Sequence, residues 1–112
     1  MFVAEVSTGR IYPVDVSPVV AADYKILLKS RYAFDWKEEK NKEVYKLVLK
    51  GQTDILGLIS IERIPDEWRI HIRLLSVSAE NKGKNKHFEN IVGNLIAFVA
   101  KIAVAEFGPL AC

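Results

Sequence analysis

Cysteine, histidine and uniform charge are all scarce in this chain, and each shortage removes a class of chemistry. Cys112 is the only cysteine, so no disulfide can close within the chain, which fits a reducing cytoplasm. The only histidines, His71 and His87, show no ligand spacing with that cysteine, so no metal site is expected. No serine stands in a G-x-S-x-G context, and nucleophilic catalysis has no support. A net charge of +2 is too small to argue for nucleic acid, which is an unlikely partner. The most apolar window, Ile91 to Phe107, contains Asn94, Lys101 and Glu106 and falls short of a membrane span of about 20 residues. The N-terminus, Met1-Phe2-Val3-Ala4-Glu5, has no basic leader and carries a carboxylate in its short apolar run, so no secretory signal is read there. Internal repeats and low-complexity segments are missing too. What remains is ordinary globular composition over 112 residues, enough for one domain spanning 1–112 with one core.

Phe2 to Val6 and Ile11 to Val16 have strand-like content around a Thr8-Gly9 turn, which predicts an N-terminal hairpin. Pro13 should then lie on an outer edge, where its missing N–H costs no ladder bond. Ser17-Pro18 is a helix-start signal, and Val20, Tyr24, Leu27, Leu28 and Tyr32 follow at helical spacing, predicting an amphipathic helix from Pro18 to about Ser30. Phe34 and Trp36 are aromatic anchors for that helix; with nearby lysines they are also a conceivable base-stacking pair. The run from Lys37 to Glu43 alternates in charge sign and reads as an exposed turn or frayed helix end.

Three strands follow, joined by short turns and therefore expected as an antiparallel meander. Val44–Leu49 is the first and Ile55–Ile64 the second, with Gly57 marking a bulge or a close backbone approach. The third begins at Trp68 and sets Trp68, Ile70, Ile72 and Leu74 against Arg69, His71 and Arg73. At Leu74-Leu75 the alternation is lost, and both faces should be covered there. The final helix carries Phe88, Ile91, Val92, Leu95, Ile96, Val99, Ile102 and Ala103 on one stripe, with Phe98, Ala97, Ala100 and Val104 off it. So little polar face remains that burial on more than one side, against a partner subunit, is expected. Gly108-Pro109 ends it.

Between that strand and helix lies Asn81-Lys82-Gly83-Lys84-Asn85-Lys86. Free backbone N–H groups and the positive end of a helix dipole meet at such a junction, which suits an anion. Lys82, Lys84 and Lys86 read either as a phosphate clamp or as a solvated turn. His87 reads as an anion contact, a general base or an exposed residue.

The order of hairpin, helix, meander, loop and long helix, with Ile55-Leu56-Gly57-Leu58-Ile59 and Gly93-Asn94-Leu95-Ile96-Ala97-Phe98 as its strongest phrases, resembles the first two-thirds of a GNAT acetyltransferase domain. The resemblance implies an α+β, GNAT-like half-domain. Its mostly antiparallel sheet is packed with an N-terminal helix and a long C-terminal helix, and the family's closing strands are lacking. It also implies acetyl-CoA as cofactor. The pantetheine arm would pair with Leu74, Leu75, Ser76 and Val77, and the pyrophosphate would rest on a Q/R-x-x-G-x-G/A loop. Counted back from Leu95-Ile96, that loop falls on His87-Phe88-Glu89-Asn90-Ile91-Val92; counted forward from Val77, it falls on Lys82-Gly83-Lys84-Asn85-Lys86-His87. Glu80 or Glu89 would bring opposing negative charge. The implied cofactor site is Leu75, Val77, Lys82, Gly83, Lys84, Asn85, Lys86, His87 and Asn90.

Glu62 and Glu67 lie on or beside the strands where the family often places an amine-deprotonating base, though neither has a perturbing partner in sequence. The tyrosines, Tyr12, Tyr24, Tyr32 and Tyr45, precede the motif region and fill no general-acid position. The expected function is that of a GNAT-family N-acetyltransferase-like protein with a degenerate acetyl-CoA site. The alternative is a non-enzymatic module, homodimeric or partner-binding, in which another chain completes the sheet.

Overall fold

A computed structural model describes residues 1–109 of the chain, so Cys112 lies outside the described residues. The expected hairpin forms from β1 (Phe2–Glu5) and β2 (Ile11–Pro18), closed by Gly9 at φ +72°. β3 (Glu43–Leu49), β4 (Gly57–Ile64) and β5 (Arg69–Val77) make the antiparallel meander. A two-residue strand, β6 (Phe88–Glu89), pairs with β1. The sheet therefore runs β5-β4-β3-β2-β1-β6, every ladder antiparallel. The long helix, α2 (Ile91–Phe107), touches β4 and β5 at one margin and β1 near the other, so the sheet curls around it.

Side chains alternate between two apolar clusters. On the concave face Val3, Val14, Leu47, Ile59, Leu95 and Val99 meet; on the convex face Tyr24, Tyr32, Trp36, Val48, Ile55 and Leu58 meet. The period-2 direction of side chains along a strand is what lets one sheet feed both. Gly57 marks a close approach of helix to sheet: a Cβ there would sit 2.7 Å from Ile91 Cγ2 and 3.0 Å from Leu95 Cδ1.

Several expectations are corrected. The helix read from Pro18 to Ser30 does not form. Pro18 ends β2, and Val19 N–H still bonds to Val44 O across the sheet (2.8 Å). A 3-10 helix (Ala21–Ile26) follows, then a single α-turn, α1 (Lys29–Tyr32), separated by Leu28 in an extended conformation. Across this break Tyr24, Leu27 and Tyr32 enter the convex core, while Leu28 is left 61% exposed. Pro13 is not on an edge strand. It sits where β2 passes from β1 to β3, and because the β3 ladder stops at Leu49, opposite Val14, its missing donor still falls outside a ladder.

The third strand starts at Arg69. Trp68 adopts a left-handed conformation (φ +50°) after the turn Pro65–Glu67 and is 70% exposed. The lost alternation has a cause: Ser60 pairs with Leu74 but Ile61 with Ile72, leaving Arg73 as an inserted bulge residue. The bulge moves Leu74 to the convex cluster while Leu75 packs into the concave one. Gly57 is thus a close approach, and the bulge lies on the neighbouring strand. Phe88 belongs to β6 rather than to the final helix. α2 buries Ile91, Leu95, Val99 and Ala103, but Val92, Ile96 and Val104 stand 41–47% exposed. No helix among the described residues is long and apolar enough to cross a membrane.

Candidate functional site

After β5, Ser78 N–H bonds back to Leu56 O (2.9 Å) and a 3-10 turn, Ala79–Asn81, bends the chain away from the sheet margin. Gly83 (φ +71°) reverses it, in open space that only the backbone angle restricts. The returning chain is tied down by Asn81, whose Nδ2 donates to Ser78 Oγ (2.9 Å) and whose Oδ1 accepts from Phe88 N–H (2.8 Å). His87 N–H donates to Glu80 O (3.2 Å) and Lys82 N–H to Ala79 O (3.3 Å). Part of the loop's amide donors is therefore already used by the protein.

The donors at the start of α2 are not. Asn90 opens the helix at φ +74°, ψ +21°, and its side chain caps no amide. The first bond returning into the helix is Asn94 N–H to Asn90 O (3.2 Å), which leaves the N–H groups of Ile91, Val92 and Gly93 without acceptors among the described residues. Gly93 makes room for Asn90, whose Oδ1 lies 2.2 Å from where a Gly93 Cβ would be. A cleft of about 130 Å³ opens here, lined by Val77, Asn81, Lys86, Phe88, Asn90, Ile91, Val92 and Gly93.

The residues expected at the site divide. Val77, Lys86 and Asn90 share that cleft. Lys84, Asn85 and His87, again with Lys86, line a second cleft of about 530 Å³ against Glu5, Val6 and Ser7. Lys82 and Gly83 are exposed and line neither, and Leu75 is taken up by the core. Strand β6 separates the two groups, because its pairing with β1 turns the lysine loop outward. Glu62 pairs with Lys42 (3.2 Å), and Glu67 with Arg69 (3.3 Å), on exposed surface; neither lines these clefts.

Glu80 does not oppose an anion in the way its sequence position implied. Arg31, on α1, donates Nη2 (2.6 Å) and Nε (3.1 Å) to it, and Nη1 (2.9 Å) and Nη2 (3.0 Å) to Asp54. The Arg31 hydrogen bonds hold the Glu80 carboxyl at about 2, against the opposing effect of burial. One guanidinium thus pins the post-β5 turn to α1 and to the β3–β4 loop.

The sequence reading gave no structural role to two residues that are buried and polar, Glu39 and Asn94. Glu39, inside the run read as an exposed turn, is 5% exposed; it accepts from Ser60 Oγ (2.8 Å) and from Arg73 Nε (2.9 Å), and Arg73 holds its carboxyl below the usual range. Asn94 donates Nδ2 to Phe2 O (2.7 Å) and Asn90 O (2.8 Å), fixing both β1 and the helix start. A polar residue on an apolar helix stripe was the one available signal for Asn94. The helix that Phe34 and Trp36 were expected to anchor is not there; Trp36 is instead fully buried in the convex core with Nε1–H on Tyr32 O (3.1 Å), and Phe34 is exposed. The chain matches no protein-family model, no curated protein and no solved structure.

Proposed function

We propose that the cleft at the start of α2 holds the diphosphate of an acyl-CoA, and that the chain is a GNAT-like half-domain related to N-acetyltransferases. The observation carrying this reading is Asn90. In the register counted back from Leu95-Ile96 it occupies the first glycine position of the phosphate loop, and it has a left-handed backbone of the kind glycine adopts most readily. Asparagine is among the few other residues that tolerate that conformation. Three unpaired amides, a helix dipole and the Lys86 side chain then converge on one small cleft that also receives the end of β5. A volume of about 130 Å³ suits a diphosphate rather than a whole nucleotide, so the remaining cofactor would lie along the free margin of β5. There, outward N–H groups would pair with pantetheine amides and polarise the thioester carbonyl toward attack by an amine. Glu62 and Glu67 are each ion-paired at the surface, with Lys42 and Arg69, and line neither cleft. Binding is therefore the better-supported half of the reading.

The test is acetyl-CoA titrated into the chain with thermal unfolding as readout, since a ligand of the folded state must raise Tm. The expected result is a saturable rise that coenzyme A reproduces and Lys86→Ala diminishes. No rise at millimolar acetyl-CoA overturns the reading.

The exposed margin of β5 favours a second reading, a homodimer. Antiparallel pairing of β5 (Arg69–Val77) with a second copy would cover this open edge. Light scattering on a gel-filtration eluate tests it: a dimer mass that Ile70→Pro abolishes is expected, and a monomer at high concentration defeats it.

A further inference from the structure

On the convex side of the sheet, away from α2, the segment between β2 and β3 leaves a cleft of about 450 Å³ beside the free margin of β5. That volume falls in the range of small-molecule sites. Charges of both signs line it: Lys29 and Arg73 on one hand, Asp35 and Glu38 on the other. Arg73 is pre-positioned. Its Nε and Nη2 are held by buried Glu39 (2.9 and 3.4 Å), while its Nη1 makes no bond among the described residues. Lys29 and Glu38 are exposed and enter no ion pair or side-chain hydrogen bond there, and Asp35 uses only Oδ1, accepting from Lys37 N–H (3.2 Å). The apolar part of the wall is Ala33, Phe34 and Leu74. Ala33 has φ +71°, ψ −30°, a strained conformation for an alanine and one that tends to persist where a ligand surface needs it. The Arg73 bulge, the Ala33 strain and the buried Glu39 thus all border one cavity.

A simple anion placed there would meet two free carboxylates, and a simple cation would meet Lys29 and Arg73. Only a ligand carrying both charges satisfies the walls. We propose that this cleft binds a small zwitterion of the α-amino-acid type. Its carboxylate lies on Arg73 and Lys29, its ammonium on Asp35 and Glu38, and an apolar side chain lies against Ala33, Phe34 and Leu74. The site lies on the opposite face of the sheet from α2, so it stands whether or not the acyl-CoA reading does.

The experiment titrates the whole chain with L-leucine, isopentylamine and 4-methylpentanoate, following amide resonances of Ala33, Phe34 and His71 by NMR. Isopentylamine lacks leucine's carboxylate and 4-methylpentanoate lacks its ammonium. Leucine is expected to bind at least tenfold more tightly than either. Glu38→Gln should weaken leucine about fivefold yet leave 4-methylpentanoate unchanged, and Lys29→Gln should weaken leucine by a similar factor yet leave isopentylamine unchanged. Both positions are exposed, and an unchanged Tm checks that the variants are folded. Leucine binding no tighter than its analogues, insensitivity to both substitutions, or shifts lying outside the cleft would each overturn the proposal.

Discussion

Gly57 and Ile91 are in contact only because Gly57 has no side chain: a Cβ on the strand would stand 2.7 Å from the Ile91 Cγ2 on the helix. Gly57→Ala therefore forces α2 away from β4 and should destabilise the chain by about 1–3 kcal/mol, the usual cost of overpacking. Urea denaturation measures it. Ile91→Ala in the same chain should recover part of the loss, a non-additivity expected of residues that touch.

Asn90 gives a sharper test of backbone conformation. At φ +74° a Cβ-bearing residue without asparagine's local compensation costs about 1–2 kcal/mol. Asn90→Ala should lower stability by that amount, while Asn90→Gly should hold or raise it. If the α2 start binds a diphosphate, Asn90→Gly also retains the acetyl-CoA response. Equal stability of the two variants would contradict the left-handed assignment.

Acid should loosen the turn after β5. The Glu80 carboxyl is held at about 2 by Arg31, below its ordinary 4.5. A depressed carboxylate contributes stability in full above the unfolded value, and that contribution disappears as pH falls from about 4.5 toward 2. Glu39 and Glu43, lowered by Arg73 and Arg63 respectively, shift in the same direction. Arg31→Ala should cost about 1–2 kcal/mol at pH 7 and flatten the acid limb. Denaturation midpoints at several pH values between 2 and 7 check both.

Asn94 bridges two carbonyls from opposite ends of the chain. Asn94→Ala leaves Phe2 O and Asn90 O without that donor, an expected loss of about 1–3 kcal/mol. Hydrogen exchange should accelerate most in β1. Uniform acceleration across the sheet would argue against this local role.

The meander was legible because Val44–Leu49 and Ile55–Ile64 announce buried strands by composition, with short polar turns between them. The crossing from β5 to β6 was not. Two residues, Phe88 and Glu89, carry too little pattern to register as a strand, and their helical spacing with Ile91 and Leu95 absorbed them into the helix. The Pro18–Ser30 helix failed for a related reason. Tyr24, Leu27 and Tyr32 keep helical spacing and share one core, yet they reach it from two short turns either side of an extended Leu28. The candidate site was half legible. The position of Asn90 could be counted, but the outward turn of the lysines depends on β1, more than 80 residues away, and Glu39 looked like any other member of a charged run.

That β6 closes on β1 also bears on the order of assembly. When the ribosome has made the hairpin, the segment that will flank it and the helix that will cover Val3 and Val14 have yet to be synthesised. β1 must wait, exposed, until β6 and α2 have followed it off the ribosome. Such late closure slows folding and lengthens the interval in which a nascent chain seeks chaperones.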